Sequence, residues 1–387
     1  MHCNHLDIVS LDNGMYTVKN TVNSRYVKMG ARETRFLLES IGFDNIAQEI
    51  DVCNELNADE RELLFQKFEE WGFLDDKNLQ QNNKKNDITR IKVCEFDPEK
   101  YIQNIPNGIK NMFSINGVIL IAILTIIAFI LMCNNAEGLY SAAKDSLHFS
   151  IMEYVLFYIM MVLTTMLHEM GHAICCTHHG GKISSIGIML FFLIPCFFCD
   201  VSDIYMFKNR KKSFSVAVAG IAINYFMGTI ACIGYFILLG RGIYVPLLMF
   251  YYFANIGFVV FNLIPFVKLD GYWVVTALLE VDNLMDKSIL TFLTCIINPR
   301  EFKIIACGIV KKIVLFLYGL SAIAFRPIFW IVSVYSLCNF LAERQMDWMC
   351  GVVVGFVLVM VLKDVTTLLN RYIEMYRIQR HRVLGMI

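Results

Sequence analysis

Charge is scarce in this chain. Asp, Glu, Lys and Arg make up 18% of its 387 residues, against 57% hydrophobic residues. So little charge cannot clothe a soluble protein of this length, and an ordinary water-soluble globular domain is excluded for most of it. The start, Met1-His-Cys-Asn-His, leads into no apolar core. No cleavable signal peptide is therefore read there, and the first apolar span has to act as the insertion signal. Thirteen cysteines are present, but many stand singly in apolar stretches, where Cys behaves as a small hydrophobe rather than a disulfide partner.

What is abundant is apolar sequence in runs near the roughly 20 residues that cross a bilayer. Six such spans are read, at 115–133, 151–176, 214–239, 244–265, 313–341 and 348–369, the fifth open to a kink or split at Arg326-Pro327. Lys and Arg near span ends favour the cytoplasmic side. Lys182, Lys208, Arg210, Lys211 and Lys212 lie between spans two and three. Lys268, Lys287, Arg300, Lys303, Lys311 and Lys312 lie between four and five, and Arg371, Arg377, Arg380 and Arg382 follow the last. The opposite loops hold Lys144, Arg241 and Arg344. The expectation is a multi-pass cell-membrane protein with both termini cytoplasmic and a basic tail, 371–387, that anchors on anionic lipid.

The second span ends on His168-Glu169-Met170-Gly171-His172. Residues four apart share a helix face, so His168 and His172 can present two imidazoles to one metal ion while Glu169 reaches the attacking water. Ionisable groups at membrane depth cost several kcal/mol each unless paired, metal-bound or lining a wet cavity. A catalytic zinc site needs a third ligand. Asp270 is a candidate: Pro265 breaks the fourth span, placing Asp270 on irregular backbone with Gly271 allowing a tight turn behind it. An Asp-Gly pair by itself is more often just a turn.

Three segments together resemble the site-2 protease (M50) family of intramembrane zinc metallopeptidases: His168-Glu169-x-x-His172, Asn262-x-x-Pro265-x-x-x-x-Asp270-Gly271, and Ala219-Gly220-x-x-x-Asn224. The resemblance implies one Zn²⁺ per chain on His168, His172 and Asp270, with Glu169 as general base, and the placement of Lys and Arg puts that site nearer the cytoplasmic leaflet. It also implies that Asn224 and Asn262 border the site and hold an extended substrate or polarise its carbonyl. An Asn in a membrane helix can equally hydrogen-bond a neighbouring helix.

Between spans two and three, residues 182–207 carry a short apolar run interrupted by Pro195. A re-entrant hairpin or loop fits better than a seventh helix. In the resembled family such an element borders the cleft, where an edge strand can pair with an unfolded substrate. A packing loop with Asp200 and Asp203 facing water is the plain alternative. Cys196-Phe-Phe-Cys199 has metal or redox spacing but is read as structural.

Residues 1–75 differ in composition and read as a small α+β domain, followed by a linker over 76–110 and the metalloprotease domain over 111–370. Tyr16-Thr-Val-Lys and Tyr26-Val-Lys-Met suggest a hairpin, and helical patterns follow at 31–40, 46–56 and 59–71. A hairpin and three helices make a winged-helix-like module, similar to the PqqD-type peptide-recognition domains of ribosomal-peptide maturation. That similarity implies a leader peptide docking as an added strand. The segment has balanced charge and no basic stripe, so nucleic acid is not expected as a partner.

The function read from the sequence is zinc-dependent endopeptidase action on a membrane-associated peptide or protein, in maturation or secretion of a ribosomally made, bacteriocin-like peptide. Two competitors stand beside it. One is release of a membrane-tethered transcription factor or anti-sigma factor by the same chemistry. The other is non-proteolytic peptide binding with handover to an export transporter, against which Glu169 speaks, because a pure binder needs no base.

Overall fold

The computed structural model describes residues 2–3, 5–11, 14–23, 25–52, 56–74, 90–96, 98, 113–145, 149–191, 194–297, 299, 308–343 and 347–384. The chain divides into two compact units, Met1–Leu278 and Leu279–Ile387. The sequence had placed 111–370 in one domain, so the division falls inside the expected protease domain.

The first unit begins with an antiparallel meander, β1 (His2–Cys3), β2 (Leu6–Ser10), β3 (Met15–Asn20) and β4 (Arg25–Gly30), in the order β1-β2-β3-β4. Helices α1 (Ala31–Ser40), α2 (Asp44–Gln48) and α3 (Ala58–Glu70) follow. The expected hairpin is β3–β4. Its turn is set by Asn20, whose Oδ1 accepts from the Val22 and Asn23 amides while its Nδ2 donates to the Gly72 carbonyl at 2.7 Å. The expected helix over 46–56 is corrected to the short α2, with Ile50 turned into the core instead. Asn57 and Glu60 form a capping box that starts α3. Leu6, Ile8, Val18, Leu37, Leu38, Phe68 and Phe73 make the core.

Part of the expected linker is a strand. β5 (Arg90–Phe96) pairs antiparallel with β6 (Ile186–Phe191), which pairs with β7 (Ile194–Cys199) in the order β5-β6-β7. The hairpin expected over 182–207 is thus β6–β7, and 75–89 lie outside the described residues. The β5–β6 register slips between Lys92 and Cys94, and Gly187 sits where any Cβ would strike the Cys94 carbonyl.

The remainder of this unit is mostly apolar helix: α4 (Ile115–Asn134), α5 (Ala136–Asp145), α6 (Ile151–His178), α7 (Arg210–Leu239), α8 (Pro246–Asn262) and α9 (Asp270–Leu279). A 3₁₀ turn, Ser202–Met206, joins β7 to α7. α7 is central, packing against α4, α6 and α8. Its small residues Ala217, Ala219, Gly220, Gly228 and Ala231 let neighbouring helices approach closely. The second unit holds α10 (Leu284–Ile297), α11 (Ile309–Glu343) and α12 (Asp347–Leu384). α11 runs on through Pro327, and α12 continues to Leu384 through most of what was expected as a tail.

Among the described residues, five helices are long and apolar enough to cross a membrane: Ile115–Asn134, Ile151–His178, Arg210–Leu239, Ile309–Glu343 and Met349–Thr367 within α12. The expected fourth span is the shorter α8, 17 residues.

Candidate metal centre

One turn of α6 carries His168 and His172, and their Nε2 atoms lie 3.2 Å apart. The Oδ2 atom of Asp270 lies 3.1 Å from His168 Nε2 and 3.4 Å from His172 Nε2. Both histidines are buried. Asp270 Oδ2 is also buried and, among the described residues, has no hydrogen-bond partner. Three ligand atoms of the right chemistry therefore converge, and the three residues could hold a metal ion.

The imidazoles are turned toward that point by α7. His172 Nδ1 lies 2.7 Å from the Val216 carbonyl oxygen, and His168 Nδ1 lies 3.2 Å from Asn224 Oδ1. A carbonyl oxygen can only accept, so the His172 proton sits on Nδ1 and Nε2 keeps its lone pair for a metal. Val216, Gly220 and Asn224 are spaced four apart and share one face of α7. Between the two holding residues, a Cβ on Gly220 would stand 2.5 Å from His168 Nε2 and even nearer His172 Nε2. Only glycine leaves the pocket between the imidazoles open.

Asp270 is not on irregular backbone as the sequence implied. It is the first residue of α9, where the unpaired amides of a helix N-terminus favour a carboxylate. Gly271 is helical rather than a turn residue. Its Cβ-less face lies against the end of α8, with the Asn262 carbonyl oxygen 2.7 Å from where a Cβ would be. Asn262 thus meets the site's support through its main chain. Asn224, expected to face substrate, is 1% exposed and holds His168.

Glu169 is half-buried on the same turn, and α6 packs there against β7, which ends at Cys199. Cys196 and Cys199 are three apart on that strand and so point to opposite faces, which rules out joint ligation within β7. Asp203 does not face water. Lys19 Nζ lies 2.5 Å and the Tyr26 hydroxyl 2.6 Å from its Oδ1, while the Lys182 amide donates to Oδ2 at 2.8 Å. Burial pushes the Asp203 carboxyl up, but these three donors outweigh it and hold it below the ordinary carboxylate range. The Tyr26 phenol is raised by burial and by its bond to Asp203.

Sequence reasoning missed the Val216 carbonyl, the role of Gly220 and the pairing of Asp203. The four-residue spacing of Val216, Gly220 and Asn224 was the available signal for the first two.

A Bacillus subtilis (strain 168) protein named "Putative peptide zinc metalloprotease protein YydH" is 26% identical over 132 residues, 34% of this chain and 50% of that protein. The match thus spans half the length of that relative. No family model matches the chain, and no solved structure matches it.

Proposed function

We propose that this protein is a zinc-dependent membrane endopeptidase that hydrolyses a membrane-associated peptide or protein. The observation that carries the reading is the convergence of His168 Nε2, His172 Nε2 and Asp270 Oδ2 beside Glu169. The similarity to a protein named as a peptide zinc metalloprotease supports it. The apolar helices support a membrane location, and the distribution of Lys and Arg favours cytoplasmic termini.

His168, His172 and Asp270 would hold the zinc, which when bound supplies an activated water and polarises the scissile carbonyl. Glu169 takes the proton of the attacking water as its oxygen bonds to the peptide carbon, and returns it to the amine as the C–N bond breaks. Asn224 and the Val216 carbonyl keep the imidazoles in the tautomer that offers Nε2. Among the described residues β7 is an edge of its sheet, and it packs against α6, so an extended substrate pairing along it would bring its backbone toward the base.

The N-terminal sheet and helices are proposed to bind the leader of a ribosomally made peptide, with maturation or secretion of that peptide as the outcome. The test is peptidomics of membrane and medium from the native host, wild type against Glu169→Gln, with zinc content measured in both. Accumulation of a longer precursor in the variant at unchanged zinc supports the reading, and the length of that precursor separates peptide maturation from release of a tethered regulator. Identical peptide profiles with zinc-loaded protein would overturn proteolysis and leave binding or export.

A further inference from the structure

Lys19 is 7% exposed and Asp203 8% exposed, so an ion pair spanning 184 residues of sequence is buried. Removing two charges from water is costly, and a buried pair stabilises little beyond what a well-packed apolar pair would. What such a pair does well is fix one geometry, because each wrong register leaves a charge stranded. Here the geometry fixed is that of the N-terminal β3–β4 hairpin against the 3₁₀ turn Ser202–Met206. Tyr26, on β4, bonds the same carboxylate oxygen, and its ring lies 5.8 Å from that of Tyr205.

That turn touches each element of the metal centre. Ile204 packs into one hydrophobic core with Ala173, Cys175 and Cys176, the turn of α6 that follows His172. The hydroxyl of Ser213 donates to the Ile204 carbonyl at 3.3 Å, and Ser213 lies three residues before Val216, whose carbonyl holds His172. Tyr205 packs edge-on against Trp273 at 6.0 Å, and Trp273 is one helical turn beyond Asp270 on α9.

We infer that Lys19, Tyr26 and Asp203 are positioning residues of the metal centre. Through them the N-terminal hairpin clamps the turn that packs on the helix of His168 and His172, on the His172 support and on the Asp270 helix. The N-terminal domain is then a working part of the catalytic body and not only a substrate tether. The inference rests on the metal-site reading above.

The test uses full-length protein in detergent, reconstituted with Co²⁺ as the probe. The visible absorption of Co²⁺ reports ligand geometry, and its release to a chelator reports how firmly the ligands are held. Lys19→Met and Tyr26→Phe should each alter the Co²⁺ bands and speed release at least about threefold, while Lys19→Arg stays near wild type. Tyr26→Phe removes a single hydroxyl and serves if Lys19→Met fails to fold. Variants that melt earlier yet keep the wild-type Co²⁺ spectrum and release rate would overturn the inference, because the clamp would then be attachment only. Wild-type protein that takes up no Co²⁺ would overturn the metal-site reading and this inference with it.

Discussion

The ring of His172 is fixed by a main-chain atom, the Val216 carbonyl 2.7 Å from its Nδ1, whereas His168 depends on the Asn224 side chain at 3.2 Å. The two ligands are thus held by unequal means. Substitution cannot easily remove a carbonyl, so His172 is robust and His168 is the ligand that mutation can loosen.

Asn224→Ala should therefore weaken zinc binding by about 10-fold or more, the range found when a group holding a metal-bound histidine is lost. Asn224→Asp keeps an acceptor for the His168 Nδ1 proton and should retain metal. Chelator competition on the purified protein measures both. If both variants bound zinc like wild type, Asn224 would not be holding the ligand, and a substrate-facing role would return.

Gly220 and Gly171 separate two uses of a small residue at the α6–α7 contact. A Cβ at 220 meets the two Nε2 atoms, whereas a Cβ at 171 meets Ile223 Cγ1 at 2.9 Å and the Ala219 carbonyl at 3.3 Å. Gly220→Ala should abolish metal loading while leaving most of the fold. Gly171→Ala overpacks the helix contact and should cost about 1–3 kcal/mol of stability with metal retained. Metal analysis and thermal unfolding of the two variants side by side make the comparison.

What could be read from the sequence was what lies within one helical turn or follows fixed spacing. His168, Glu169 and His172 were legible because four residues return to the same face. The end of α8 was legible near Pro265, although the helix stops at Asn262, since proline clashes with the preceding turn and disfavours helical backbone just before it. β5 was passed over because its alternation, Arg-Ile-Lys-Val, sits near a polar stretch and is broken by the bulge at Lys92 and Cys94. Asp203 could not be read at all, because its partners Lys19 and Tyr26 come from a domain far away in sequence and nothing local marks a carboxylate as buried.

The charge state of Asp203 makes the clamp sensitive to acid. Its carboxyl is held below the ordinary range in the folded protein, against about 3.9 unfolded. A depressed carboxyl contributes stability that is fully present above the unfolded value and is lost as pH falls through the folded one. Asp203→Asn keeps the shape and one acceptor oxygen but cannot carry the charge. The gap in melting temperature between wild type and Asp203→Asn should thus be constant above about pH 5 and narrow steadily toward pH 3. Tyr26 acts at the other end: its raised phenol keeps the donated proton, so the same gap should persist to about pH 10. Unfolding scans of both proteins from pH 3 to about pH 10 decide the matter. A gap that is flat across the whole acid range would mean that Asp203 gains nothing from its charge, and the contact with Lys19 would then be a hydrogen bond without electrostatic consequence.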